Sequence, residues 1–207
     1  ESSDIATKIP ASEKKGFYVE NRYPMAHNPG AEYYINTFFD DELKKKNKKT
    51  VQEMMFMACE LDYNNELCPI FLTEKEKDYG INFLKEHGIK NMKIIGIHIG
   101  SSPRWPSRNW HSENLKYFVE NIKKSGYEVL FFGGPMEREK LPILTKEFAE
   151  EGIKINHNNP DNTDGEYFSL VNVCDIMIVP DSFSLHVSLA LKKPTICMFF
   201  CTSPDEI

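Results

Sequence analysis

Residues 175–200 read DIMIVPDSFSLHVSLALKKPTICMFF. Two short apolar runs, DIMIV and TICMFF, enclose a segment that opens with an acid, two serines and a histidine. Read as strand, helix and strand, the stretch is a crossover unit of a parallel sheet. Its polar residues then fall at the carboxyl end of a buried strand and the mouth of a helix. What that position means depends on what else meets it.

Working outward, further β-rich runs appear at MKIIGIHIG (92–100), YEVLFFGG (127–134) and IKINH (153–157). Helical segments lie between them: SENLKYFVENIKKSG, LPILTKEFAEEG and GEYFSLVNVC, the second with Pro142 near its start. Strands alternating with helices predict an α/β fold with a doubly wound parallel sheet. The runs are almost continuously apolar, as expected of strands covered on both faces, and Phe131, Phe132, Phe199 and Phe200 belong in the core. Residues 1–90 show helical patterns and no convincing strand series, so they read as a helical connector or cover, with a polar start open to disorder. Within them Thr73 and Glu76 form a capping box that opens a helix closed by Gly88. Residues 91–207 form the sheet domain.

Right-handed crossovers in a five-strand unit favour the order 3-2-1-4-5, which sets the first and fourth strands side by side with their crossovers leaving in opposite directions. Ligands of open α/β sheets bind in the crevice at that point. Three polar loops converge there: GSSPRWPSRNW (100–110), FGGPMERE (132–139) and PDSFSLH (180–186). The helix opening near Ser182 presents unpaired N–H groups and a partial positive charge, a cradle for phosphate. The dipole contributes only ~0.3–1 kcal/mol, up to ~2 when partly buried. Ser182 and Ser184 hydroxyls and a bidentate Arg108 are candidates for the remainder. Asp181 would repel a phosphate, so it caps the helix or accepts from a sugar hydroxyl. Taken singly, His186 reads as a packed histidine, Arg108 as a surface charge, and Trp105 and Trp110 as packing anchors. Their common position at adjacent strand ends is what lifts them.

Composition sets the outer limits. The chain has 207 residues, 41% hydrophobic and 27% charged, with net charge −6, which gives no basic surface for nucleic acid. The lysine run 44–49 reads as a solvated loop in preference to an anionic-membrane contact. Five cysteines without a CxxC pair suit a reducing compartment. No run approaches the ~18 apolar residues of a membrane span, so the expectation is a cytoplasmic protein with at most peripheral membrane contact. Ser101, Asp181 and His186 follow the chain order of an α/β-hydrolase triad, but the G-x-S-x-G elbow is absent. The histidines show no metal-ligand spacing and the G-x-G-x-x-G fingerprint is missing.

The segments IIGIHIGSSPRWPSRNW, VLFFGGPMERE and DIMIVPDSFSLHVSLALKKPTICMFFCTSPDE resemble the carboxyl-terminal domain of the ADP-heptose:lipopolysaccharide heptosyltransferases, glycosyltransferase family 9. The resemblance covers roughly residues 93–206 and implies half of a GT-B enzyme, a Rossmann-like domain that holds a nucleotide-diphosphate sugar. It implies donor contacts from Ser101, Ser102 and Arg108, from Gly133, Gly134 and Glu137 (Glu139 as second choice), and from Thr163. It also matches Asp181, Ser182, Phe183, Ser184 and His186 to the family's D-[ST]-G-x-x-H. Phe183 stands where that motif has glycine, and Ile99 and His111 stand where prolines are common.

The implied reaction is inverting glycosyl transfer to a lipopolysaccharide or other glycan acceptor, without a metal or other cofactor, ADP-heptose being the family's donor. The implied catalytic base belongs to an amino-terminal domain with no counterpart here, and the sheet domain is expected to lack its closing helices. On that expectation the chain alone is inactive. A non-catalytic nucleotide-binding module and a GT-B nucleotide-sugar epimerase stay open as alternatives.

Overall fold

The computed structural model describes residues 2–66, 68–90, 92–100, 110–199 and 203–207. Ser101, Ser102, Trp105, Arg108 and Phe200 lie outside the described residues. The chain divides into two compact units, Glu1–Leu67 with Thr202–Ile207, and Cys68–Cys201.

The first unit carries α1 (Ser2–Lys8), β1 (Phe17–Glu20), β2 (Tyr23–Ala26), α2 (Pro29–Asn36), α3 (Asp41–Lys46) and α4 (Val51–Cys59). The polar start is helical, and Lys8 bridges Asp4 one turn earlier at 2.9 Å. β1 and β2 pair as an antiparallel hairpin that the sequence reading missed. Its two-residue turn, Asn21 and Arg22, has φ of 50° and 71°. Asn tolerates that left-handed region, but Arg gives no turn signal, and Pro24 inside β2 further hides the strand. In the lysine run, Lys45, Lys48 and Lys49 pair with Glu42, Asp205 and Glu53, as a solvated face does.

The second unit begins with α5 (Glu74–Glu86), then β3 (Ile94–His98), α6 (Ser112–Lys124), β4 (Glu128–Phe132), α7 (Lys140–Glu150), β5 (Asn156–His157), α8 (Asp164–Val173), β6 (Ile176–Pro180), α9 (Phe183–Ala190) and β7 (Thr195–Met198). The sheet is parallel throughout, in the order β5-β4-β3-β6-β7, which is the expected arrangement. Pro142 sits in the first turn of α7, where its missing N–H has no intrahelical partner to lose. The IKINH run contributes only Asn156 and His157 as strand.

One face of the sheet packs Ile95, Ile97, Val129, Phe131 and Ile178 against Leu115 and Val119 of α6 and Leu141 and Phe148 of α7. Trp110 is the packing anchor expected, tilted against Phe118 with ring centroids 5.1 Å apart. Phe131 and Phe132 are fully buried, whereas Phe199 at the sheet edge is only half-buried.

The division at Leu67/Cys68 places α5 with the sheet rather than with the segment that ends at 90. The reason is close packing of α5 on α8: the Gly80 N–H donates to Ser169 Oγ at 2.8 Å, and Ser169 Oγ–H donates to the Glu76 carbonyl. Both helices open on capping boxes, Thr73 with Glu76 and Thr163 with Glu166.

Candidate functional site

β3 and β6 lie side by side, with Ile97 opposite Ile178. The crossover through α6 runs from β3 to β4 on one side, and that through α9 from β6 to β7 on the other. The topological switch point, where an open α/β sheet has its crevice, therefore lies between the carboxyl ends of β3 and β6.

On the β6 side, the backbone of Ser182 is extended (φ −158°, ψ −175°) and makes it the N-cap of α9. Asp181 is therefore not the cap; it is half-buried one residue earlier and already engaged by its surroundings. The Ser182 hydroxyl does not cap the helix but pairs with Ser184 Oγ at 2.8 Å. That contact spends one of two hydroxyl protons and leaves the other for an acceptor. With no side-chain cap and no acid in its first turn, α9 presents N–H groups and a positive dipole end to the crevice. Ser184 is fully buried, and its carbonyl accepts from Ser188 Oγ at 2.7 Å. Phe183 is 60% exposed and His186 is exposed one turn into the helix.

On the β3 side, His98 ends the strand with Nδ1 2.9 Å from the Gly100 carbonyl oxygen. Burial pulls its pKa down to about 4, the nearby Lys140 ammonium adds to that, and the Gly100 contact opposes it. The ring is thus neutral near pH 7, with Nδ1 2.9 Å from the Gly100 carbonyl and 3.3 Å from the Gly100 N–H, so that one residue holds the imidazole edge in either tautomer. Lys140, at the start of α7, donates to the Ile99 carbonyl at 3.0 Å and sets an exposed cation at the lip.

The loop after β4 is held by two inward side chains. Asn158 is 1% exposed and grips both backbone groups of Gly133: its Oδ1 accepts from the N–H at 2.9 Å and its Nδ2 donates to the carbonyl at 3.0 Å. Glu137 is 9% exposed and accepts from the Gly134 N–H at 2.9 Å. Its carboxylate also lies against Gly100, where an added Cβ would come within 2.0 Å of Oε1. Glu137, the acid the resemblance sets beside a ribose, thus also ties two loops together, while Glu139 is exposed. Thr163 is likewise engaged, its Oγ1 accepting from the Glu166 N–H at the start of α8.

Of the expected residues, Gly133, Gly134, Glu137, Asp181 and Ser182 follow the carboxyl ends of adjacent strands β4 and β6, and Phe183, Ser184 and His186 lie in the first turn of α9. Ser101, Ser102 and Arg108 fall outside the described residues. His98, Lys140, Asn158 and Tyr167 escaped the sequence reading. Only His98 carried a signal, a polar residue ending an otherwise apolar strand. Tyr167 of α8 is 8% exposed, and among the described residues its hydroxyl is the buried side-chain oxygen without a hydrogen-bond partner. Burial raises its pKa far above the ordinary range. Among the described residues no group of three or more His, Cys, Asp or Glu is placed to hold a metal ion, and no helix is long and apolar enough to cross a membrane.

Lipooligosaccharide heptosyltransferase 2 of Campylobacter jejuni is 24% identical over 163 residues, 78% of this chain and 50% of its own length. Among solved structures, a glycosyl transferase family 9 protein from Veillonella parvula superposes with a TM-score of 0.64 at 23% identity, over 73% of this chain and 44% of that one. The ADP-heptose lipopolysaccharide heptosyltransferase II of Escherichia coli gives 0.60 at 20% identity, over 72% and 44%. These two likenesses speak for the fold. The chain spans about half the length of the curated relatives it matches. The family described as glycosyltransferase family 9 (heptosyltransferase) matches residues 8–207, and the chain belongs to it.

Proposed function

We propose that this chain holds the donor site of a GT-B glycosyltransferase that transfers a heptose-like sugar from a nucleotide diphosphate to a glycan acceptor. The observation that carries the reading is the uncapped amino end of α9, with the Ser182–Ser184 pair, at the switch point between β3 and β6. A pyrophosphate seated there accepts from the first N–H groups of α9 and a serine hydroxyl. Arg108, assigned from the sequence, and Lys140 add positive charge. As the glycosidic bond breaks, the leaving diphosphate gains charge against donors already in place, so stabilisation grows toward the transition state. The reading needs no metal. Deprotonation of the acceptor hydroxyl is assigned to a base outside the residues described above.

ADP-heptose as donor and a lipopolysaccharide-type acceptor are supported by the Campylobacter jejuni and Escherichia coli relatives. The family match favours the transferase over a plain nucleotide-binding module or an epimerase. A nucleotide donor and a lipid-anchored acceptor together imply the cytoplasm, at the inner face of the membrane.

Calorimetric titration of the chain with ADP, UDP and GDP tests the donor site. One diphosphate should bind, and Arg108→Ala and Ser182→Ala should each weaken it by about 1–3 kcal/mol. Failure of all three diphosphates to bind would refute the assignment.

A further inference from the structure

We infer that Phe183 is the stacking platform for the nucleobase of the donor, an inference that rests on the donor-site reading above. Three observations carry it. Phe183 is the first residue of α9, beside the N–H groups to which that reading assigns the diphosphate. The ring is 60% exposed, an apolar surface that gains nothing from the fold until something covers it. It also meets two aromatic neighbours, with ring centroids 6.1 Å from Tyr167 and 6.2 Å from Phe168, both tilted, at interplanar angles of 34° and 39°.

Tyr167 in turn leans edge-on against Phe132 and His98, at 5.5 Å and 6.4 Å, which ties the stack to the ends of β4 and β3. The aromatic neighbours are therefore anchored at the strand ends, while Phe183 itself stays 60% exposed. A flat aromatic ligand fits that face with little conformational cost, because Phe183 is already held by its neighbours. Within the same stack the Tyr167 hydroxyl has no partner among the described residues, an unspent donor beside the platform. Stacking of this kind is tolerant of base identity, since every base has a π face. The platform accordingly recognises that a nucleoside is present and leaves the choice of base to other contacts.

The test is calorimetric titration of the full chain and of its Phe183→Ala and Phe183→Tyr variants with ADP, inorganic pyrophosphate and ADP-heptose. Phe183→Ala should weaken ADP roughly 5- to 150-fold, the range for one lost base stack, and should weaken pyrophosphate far less. Phe183→Tyr should keep most of the ADP affinity. Equal losses for ADP and pyrophosphate would show that the ring merely shapes the helix end. Tighter ADP binding by Phe183→Ala would show that it obstructs the site, and a loss confined to ADP-heptose would move it to the transferred sugar. Each of those three results overturns the inference while the donor site stands. A wild-type chain that binds neither ADP nor pyrophosphate removes the donor site itself, and the platform with it.

Discussion

Acidification should cost this fold stability through one residue, His98. Its pKa is about 4 in the folded chain against an ordinary 6.5, chiefly because burial disfavours the imidazolium. The unfolded chain therefore binds the proton first as pH falls. Stability from this residue is complete above pH 6.5 and drains away as pH drops toward 4. Between pH 7.5 and pH 5 the loss works out at about 2 kcal/mol, the upper end for a half-buried ring. Carboxylates do not confuse this window. Asp175, held down by its hydrogen bond from Lys93, and Glu166, held down by the Thr163 N–H, lose their contributions only below ordinary values of 3.8 and 4.5. Urea unfolding at the two pH values should show the drop in wild type. His98→Asn keeps an amide near the Nδ1 position and has nothing to titrate, so its stability should change little. A histidine NMR titration should also reveal one imidazole that protonates near pH 4. If His98→Asn lost as much stability as wild type, or if every imidazole protonated above pH 5.5, the argument would fail.

Two further substitutions probe the clamps. Asn158→Ala leaves the buried Gly133 N–H and carbonyl without their partner, and should lower unfolding stability by about 2–4 kcal/mol while weakening diphosphate binding, both read by denaturation and calorimetry. Gly80→Ala should cost about 1–3 kcal/mol despite better helix propensity, because its Cβ would lie 2.7 Å from Ser169 Oγ and 2.8 Å from the Ser169 carbonyl oxygen. A melting curve for Gly80→Ala that matches or exceeds wild type would show that α5 and α8 can part at no cost.

The sheet was legible because β3, β4 and β6 come from almost continuously apolar, buried runs, and strand order then followed from the handedness of the crossovers. α9 shows how thin that reading can be. Phe183, Leu185, Val187 and Leu189 alternate with polar residues as a half-buried strand would. The segment is nonetheless helical, and two of its buried residues are serines, Ser184 and Ser188, joined one turn apart by a hydrogen bond. Small polar side chains that satisfy themselves can be buried without an apolar signal. The β1–β2 hairpin was hidden for a different reason. Its strands have four residues each, and one turn position is an arginine with positive φ. No local preference announces that conformation, so only its surroundings can impose it.

At the site, sequence and structure divide along a physical line. The three loops were visible because serines, glycines and acids at strand ends are unusual locally. The partners of those residues were not, because hydrogen bonds across 25 or 41 positions leave no trace in spacing. Glu137 makes the point: the resemblance implied a donor contact, and no spacing announced that its Oε2 accepts from the Gly134 N–H while its carboxylate packs against Gly100. Asn158, Glu137, His98 and Lys140 together fix the backbone at Gly133, Gly134, Gly100 and Ile99. Each ties down a loop at a strand end, and none lies on α9. The ends of β3 and β4 are thus held by these four side chains, while the amino end of α9 has no side-chain cap. Dipoles fixed before the ligand arrives are the ones that stabilise developing charge without reorganisation. Loosening a clamp should therefore weaken binding of the charged diphosphate even where the clamp never touches it.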